Sequence, residues 1–544
     1  FFNFSDENVP VEIQYEMMYC KINNNTTNES EIDNLITLIK EGNTNNLDEL
    51  GSGYKPENLL KFAKYQKAMF IARTDTKDQS QLINILSLCD SFDNADAIDL
   101  CGLSNLRLFE VNNDKSRLNE SIKNYIKSSI KSDKVRISNM LLIIYLLFTY
   151  YNNDSDDIND IKQYLNDIPL YFYVDLMSQM ISYIADLKNN SFKQYIISLL
   201  SEIMIYYPQG VIYDYSFSIF SDRRMEGITD IIESPITEIM TSAFDLNIIN
   251  IFSEAISLTV NLINVNTATP IGDERDNLFS LSPKLAENRD MLLPVFGTYH
   301  YNDDVIFIHE FSPKYEEINS LEKPKRISII GSDGHEYPFI MKEKEDLRTD
   351  QRIMIFHKFL NQYLKTKVRT YSIVPLTSNQ GLIQSVQEMI GIHQLIQFYR
   401  KKVAPKDVDF EFNYLSENLY KTRDTFMNSY DLLNQLQRLE FFKLVTNNID
   451  RRNDLRDCFW FFTTNSENWF KFITNFTSTC AVTSMISYII GLGDRHLRNI
   501  MISKDNGVLM NIDFCDVFEM AQIRPDVPEK VPFRLTRNMV EALG

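Results

Sequence analysis

The chain has 544 residues, 44% of them hydrophobic and 12% aromatic, with 55 Lys and Arg against 74 Asp and Glu for a formal charge of −19. That length exceeds what one hydrophobic core organises, and the apolar share is ample for packed cores, so a folded chain of about two to four domains is expected. The acidic balance, without clustered Lys and Arg, argues against direct nucleic-acid binding, and scattered cysteines with no C-x-x-C pair argue against a zinc ribbon and for a reducing compartment.

The tripeptides Asn24-Asn25-Thr26 and Asn28-Glu29-Ser30 match a glycosylation pattern but lie in an Asn-rich stretch and read as loop. From about Asp33 to Pro208, apolar residues recur at three- and four-residue spacing between short polar clusters such as Asn152-Asn153-Asp154. That pattern predicts stacked helical hairpins, although no fixed repeat period is visible. The longest apolar run, Met140 to Phe148, falls short of the ~20 residues that cross a bilayer and reads as a buried helix, so no transmembrane segment is expected. Residues 224 to 280 continue helical through Ile263 and then turn loop-like around Thr267 to Gly272. The chain starts at Phe1 and stops at Gly544 soon after a motif-rich segment, so it reads as a fragment.

All His and Trp residues lie at or beyond His300, a composition shift that suggests a domain boundary. Short β-rich runs follow: Val305 to Ile308, Arg326 to Ile330 and Tyr337 to Lys342, the last two joined by the turn Gly331-Ser332-Asp333-Gly334. A helix is predicted from Asp346 to about Leu364 and a strand over Val368 to Pro375. Helices then dominate from Ile392 to Ile490, giving a small α+β lobe followed by a mainly helical one.

The segment that carries chemistry is Gly491-Leu492-Gly493-Asp494-Arg495-His496-Leu497-Arg498-Asn499, followed by two apolar runs around Lys504-Asp505-Asn506-Gly507 and closed by Asp513-Phe514. The runs predict a hairpin with Asp494 and Asn499 before its first strand and Asp513 after its second, so that the three side chains converge at one edge. Phosphoryl transfer needs such a set: a carboxylate for the attacking hydroxyl, and an amide plus a second carboxylate for a divalent cation. Protein kinases space the first Asp and the Asn by five positions, as here, although the His follows the Asp instead of preceding it.

Taken together, G-L-G-D-R-H-L-x-N, I-D-F-x-x-x-F-E and P-E-K-V-P-F-R-L-T-R-N-M resemble the catalytic and activation loops of phosphatidylinositol 3-kinase-related protein kinases. Upstream, Lys342 to Arg352 resembles the family's K-G-x-E-D-L-R-x-D-x-R. Local matches such as Gly331 to Glu336 and Ser466 to Phe470 are most similar to the target-of-rapamycin type, with others shared by the nonsense-mediated-decay and DNA-dependent members.

The resemblance implies a mainly α chain. Residues 1–223 would form a FAT-type helical solenoid, with Tyr206 to Tyr213 near its end, and 224–285 a helical linker. A bilobal kinase would follow, with its N-lobe over 286–383 and its C-lobe over 384–544, lacking the FATC helices expected after Gly544. It also implies an ATP- and Mg²⁺-dependent Ser/Thr kinase, with Mn²⁺ as a substitute metal. In that enzyme Asp494 is the catalytic carboxylate, His496 stabilises the moving phosphoryl group, Asn499 and Asp513 hold the metal, and Lys342 holds the phosphates. Glu345 and Asp350 would orient Lys342 or line the pocket, Tyr371, Ile383 and Val386 would line the adenine slot, and Met501 and Ile512 would form its floor. Phe514, Cys515, Pro528, Phe533 and Arg534 belong to the activation loop.

Partners implied are protein substrates, a WD-repeat propeller subunit on residues 398 to 460, and a large scaffold subunit or preceding HEAT-repeat region. Localisation is expected to be cytoplasmic, with nuclear or endomembrane placement through partners. The chain departs from the family pattern at four places. Ser385 stands where the target-of-rapamycin type has a hinge Trp, Glu343 follows the ATP lysine in place of Gly, and Cys515 replaces the Gly of D-F-G. The interval 224 to 280 lacks the Trp-rich face of a rapamycin-binding bundle and is expected to be reduced and not to bind a rapamycin complex. The set Asp494, His496, Asn499, Asp513 and Lys342 argues against a silent scaffold. The basic residues Arg524, Lys530, Arg534 and Arg537, dispersed among Asp516, Glu519, Asp526 and Glu529, argue against a lipid headgroup as acceptor.

Overall fold

The computed structural model describes residues 29–40, 56–73, 77–90, 92–132, 137–152, 158–184, 187–220, 246–268, 276–318, 323–386, 388–403, 434–448, 453–523, 529 and 531–544. The chain divides into two compact units, residues 1–212 with 224–249 and residues 213–223 with 250–544.

The first unit is helical. Its helices are α1 (Glu29–Lys40), α2 (Pro56–Arg73), α3 (Gln79–Cys89), α4 (Ala95–Asn112), α5 (Lys115–Lys131), α6 (Ile137–Tyr150), α7 (Asn159–Asn166), α8 (Met177–Ile184) and α9 (Asn190–Tyr206). The polar punctuation of the sequence sets their ends. The side chains of Asp78, Asn94, Asp114 and Asn189 each accept a first-turn backbone N–H, satisfying donors that the helix itself leaves unpaired. Between α4 and α5, Asn113 turns left-handed at φ 54° and Asp114 caps the next helix at once. Two residues thus reverse the chain into a tight helical hairpin. The run Met140 to Phe148 is indeed a core helix, with Met140, Ile143, Ile144, Leu146, Leu147 and Phe148 buried.

Two helices carry the chain across the division between units, α10 (Pro208–Phe220) and α11 (Leu246–Thr267). Among the described helices, α11 is long and apolar enough over Asn247–Val265 to cross a membrane. Its Ala255, Leu258, Leu262 and Val265 are nevertheless buried at three- and four-residue spacing, the stripe of a helix lying on a protein core. Glu254 accepts the Leu292 N–H, and Asn261 bonds Asn288. The loop around residues 269–275 lies outside the described residues.

After α11 the second unit continues with a short helix α12 (Leu278–Leu281) and builds an antiparallel sheet from β1 (Ile308–Phe311), β2 (Glu316–Glu317), β3 (Lys325–Gly331), β4 (Glu336–Glu343), β5 (Ile373–Thr377) and β6 (Gln380–Gln384). Its order is β1-β3-β4-β6-β5, with β2 also on β3. The predicted β3–β4 hairpin forms on its predicted turn, with Gly334 at φ +78°. The first strand lies a few residues later than the Val305 to Ile308 run. The strand expected from Val368 starts only at Ile373, because the Asn361 side chain occupies both backbone groups of Val368, at 2.8 Å each.

Helix α13 (Arg348–Leu360) connects β4 to β5. It is shorter than predicted at both ends, and Asp346 bonds the Arg348 N–H just before it. A second sheet, β7 (Met389–Gly391), β8 (Ile500–Ser503) and β9 (Leu509–Asn511), runs in that order. It packs with the helices α14 (Ile392–Val403), α16 (Asp454–Phe462) and α17 (Ser466–Ile489), while α15 (Gln435–Asn448) is largely exposed in its described part. The short helices α18 (Glu519–Gln522) and α19 (Arg537–Ala542) follow.

Candidate active site

Alternation along a strand aims one row of side chains at a cleft and buries the other. On β4, Phe339 and Met341 are buried while Pro338, Ile340 and Lys342 line a cavity of about 820 Å³. On β3, Ile327 and Ile329 go inward and Arg326 and Ser328 face the same cavity. The opposite wall comes from the second sheet and its flanks, with Met389, Gly391, Met501, Met510, Ile512 and Asp513. All five residues expected around an adenine, Tyr371, Ile383, Val386, Met501 and Ile512, line it, as does Ser385.

Lys342 meets the far wall. Its Nζ lies 2.5 Å from Glu345 Oε2 and 3.8 Å from Asp513 Oδ1. Burial works to lower the pKa of this ammonium, but the carboxylates of Asp513, Glu345 and Asp350 overcome it and leave it raised, so Lys342 stays charged. Glu343 is the next residue of the strand and therefore points to the other face, away from the ammonium. Asp350 is not on the cavity wall. It is buried behind it, where Oδ1 accepts the Phe514 N–H at 2.9 Å. Burial first, then the nearby Asp513 charge, raises its pKa to about 6, against that hydrogen bond.

The segment from Gly491 to Asn499 and the one after β9 hold strained backbone. Asp494 and Asp513 both sit in the left-handed region, at φ 52° and 64°, as does Phe518 at φ 56°. Such backbone costs of order 1–3 kcal/mol per residue and persists only where surroundings hold it. Gly491 passes so close to Phe518 that a Cβ would lie 3.2 Å from its carbonyl oxygen, and the Gly493 N–H bonds the Asp516 carbonyl at 2.8 Å. The glycines of G-L-G-D thus bring the loop against the segment after Phe514.

Asn499 is nearly buried, and its Nδ2 donates to the Asp494 carbonyl at 3.1 Å, leaving the amide oxygen for another partner. Its own carbonyl accepts the Ile512 N–H at 3.1 Å, which ties the two ends of the hairpin. His496 accepts the Arg498 N–H on Nδ1 at 3.2 Å. That fixes the neutral ring's proton on Nε2, which stands 4.0 Å from Asp494 Oδ2. The hairpin itself is as expected, with Asp494 and Asn499 before β8 and Asp513 after β9.

Arg495 was legible only as a letter of the motif. It is buried, and its guanidinium donates to the carbonyls of Gly493 at 2.7 Å, Asn499 at 3.3 Å, Ile512 at 2.8 Å and Asp513. One cation therefore ties the loop bearing Asp494 and Asn499 to the one bearing Asp513. Phe514 is fully buried, with the buried His357 edge-on at 5.5 Å. Cys515 is exposed overall, but partial desolvation of its thiol, with the charges of Asp513 and Asp516, pushes it up to about 12, so it is not a thiolate at neutral pH. Phe533 and Arg534 line a small cavity with Cys480, Arg495 and Met539. Pro528 lies outside the described residues.

The sequence profile of phosphatidylinositol 3- and 4-kinase matches residues 336–544, the stretch that holds Lys342, Glu345, Asp350, Asp494, His496, Asn499 and Asp513. The C-terminal region belongs to the phosphatidylinositol 3- and 4-kinase family. Within it, this kinase region is 38% identical over 272 residues to the Serine/threonine-protein kinase tor1 of Schizosaccharomyces pombe, and 38% identical over 276 residues to the Serine/threonine-protein kinase TOR of Arabidopsis thaliana. Those matches cover 48% and 49% of this chain, and the chain spans about 11% of the length of either relative. The Serine/threonine-protein kinase ATR of Arabidopsis thaliana is 27% identical over 426 residues, 70% of this chain and 15% of that protein. Among solved structures, the FAT and kinase domain of CtTel1 aligns with the whole chain and 39% of its own length at a TM-score of 0.65 and 21% identity, a likeness of fold. The mainly helical architecture followed by a two-sheet module is therefore a fold shared with the FAT and kinase domain of CtTel1.

Proposed function

We propose that this chain is the catalytic region of an ATP-dependent protein Ser/Thr kinase of the target-of-rapamycin type. The observation that carries the reading is the approach of Lys342, on a strand of the first sheet, to within 3.8 Å of Asp513, just past a strand of the second, at a cleft within the roughly 300–1,000 Å³ typical of small-molecule sites. Lys342 supports the phosphates of the nucleotide. The residues present suit a hard divalent cation such as Mg²⁺ or Mn²⁺, since Asp513 offers carboxylate oxygen and Asn499 an amide oxygen with its nitrogen already engaged. Such a cation, when bound, neutralises charge on the transferring group. Asp494 receives the proton of the substrate hydroxyl or orients it, and the Nε2–H of His496 faces the same space to support the phosphoryl group in transit. Arg495 keeps the two loops in register while this happens.

A protein hydroxyl is preferred over a lipid because the basic residues between Cys515 and Asn538 are dispersed among acids. A propeller subunit on the C-lobe and a large scaffold rest on the same resemblance, and the exposed Trp460 and Phe461 suit a partner surface there. A second reading, the ATR type, is favoured by the longer reach of its matches. The target-of-rapamycin type is preferred on identity, 38% against 27%.

The test is transfer of label from γ-labelled ATP to Ser/Thr peptides and, separately, to phosphoinositide vesicles. Peptide labelling that falls by about 10² or more in Asp494→Ala is expected. Labelling of vesicles alone would make the chain a lipid kinase, and ATP binding without transfer to either would make it a scaffold.

A further inference from the structure

Among the described residues the cleft carries three Lys or Arg side chains, and two are already balanced. Arg326 pairs with Glu316 at 2.8 Å, and Lys342 pairs with Glu345 and Asp513. The third, Arg498, is exposed and makes no ion pair or side-chain hydrogen bond among the described residues. In a chain of net charge −19, a cation left without a carboxylate beside the catalytic loop is unusual.

Its backbone is held firmly. The Arg498 N–H bonds His496 Nδ1, the carbonyl of Leu497 accepts the His393 N–H at 3.1 Å, and Gly391 packs beneath, where a Cβ would lie 3.6 Å from the Arg498 carbonyl oxygen. The neighbouring wall is His393, Gln394 and Gln397 of α14, polar side chains without a carboxylate. A fixed backbone thus presents a fork of donors to the open side of the cleft, one residue from Asn499 and four from Asp494.

We propose that Arg498 selects the acceptor, favouring peptides with an acidic side chain close to the phosphorylated Ser or Thr. The inference rests on the kinase reading above. An acceptor hydroxyl delivered to Asp494 brings its flanking residues along the same short loop, and a guanidinium receives a carboxylate through paired hydrogen bonds. The nucleotide phosphates are the less suitable occupant, because the groups placed for them and for their cation, Lys342 and Asn499, are largely buried while Arg498 is exposed.

The test uses the full chain and a set of Ser peptides identical except for one Glu, Gln or Lys scanned over the three positions on each side of the acceptor. Exposure limits the effect, so at the best position Glu should exceed Gln about fivefold in kcat/KM, or about 1 kcal/mol at low salt. The ratio should fall to about one in Arg498→Gln and reverse toward Lys in Arg498→Glu. Peptide affinity, read by fluorescence anisotropy without ATP, should follow the same order. Phosphorylation with no preference at any position overturns the proposal, as does an unchanged ratio in Arg498→Glu. A raised KM for ATP in Arg498→Gln with the peptide ratio intact assigns the side chain to the nucleotide and overturns it too. If no peptide is phosphorylated but the affinity order holds, the kinase reading fails while the acidic-peptide site stands.

Discussion

Arg495 gives its guanidinium to carbonyls on both sides of the site. Replacing it by Met keeps the bulk but leaves buried carbonyl oxygens without donors, so Arg495→Met should cost about 3 kcal/mol of stability in urea unfolding of the kinase unit. A loss below about 0.5 kcal/mol would mean the two loops hold their register without it. His357 offers a pH test at the same scale. It is buried, its Nδ1 has no partner among the described residues, and burial lowers its pKa from 6.5 to about 4. The folded state holds it neutral, whereas the unfolded chain takes up a proton below about pH 6.5. Its contribution is therefore fully present above pH 6.5 and is lost as pH falls toward 4, by up to roughly 3 kcal/mol. In His357→Gln the drop in unfolding midpoint between pH 7.5 and pH 5 should be smaller than in the parent. An equal drop in both would place the sensitive group elsewhere.

Among elements, α17 does more than its sequence pattern announced. Thr479, Thr483 and Ser487 recur every four residues, each bonding back to a carbonyl in the preceding turn. Thr479 Oγ1 also accepts the Leu509 N–H at 3.0 Å, and Ser487 accepts from Asn511 at 3.2 Å. This row of hydroxyls seats β9, and through it Asp513. Thr479→Val keeps the shape and removes the acceptor, so a loss of about 1–2 kcal/mol is expected in denaturant unfolding. A neutral result would show that β9 is seated by packing alone. Such a stripe is hard to read in advance, because Ser and Thr at helical spacing look like ordinary solvated positions. The β3–β4 and β8–β9 hairpins were legible because each couples apolar runs to a Gly-containing turn. The late start of β5 was not, since it depends on the Asn361 amide reaching Val368 across a loop, a contact that no local pattern encodes. Likewise Asp494, Asn499 and Asp513 could be placed from hairpin logic, whereas the burial of Arg495 and the retreat of Asp350 behind Phe514 follow from packing between elements distant in sequence.

At the scale of the whole molecule, the kinase unit works by setting two sheets face to face. One brings a lysine on a strand whose neighbours are buried, and the other brings a carboxylate at the end of a hairpin. Between them lies a cavity with apolar walls at Ile340, Ile383, Met501 and Ile512, and Lys342 and Asp513 line it as well. Calorimetric titration of ATP into the chain, with and without Mg²⁺, tests that arrangement most directly. Binding should strengthen with Mg²⁺, weaken at least about tenfold in Lys342→Met, and lose its dependence on Mg²⁺ in Asp513→Asn. Binding indifferent to the metal and unchanged by both substitutions would contradict that arrangement.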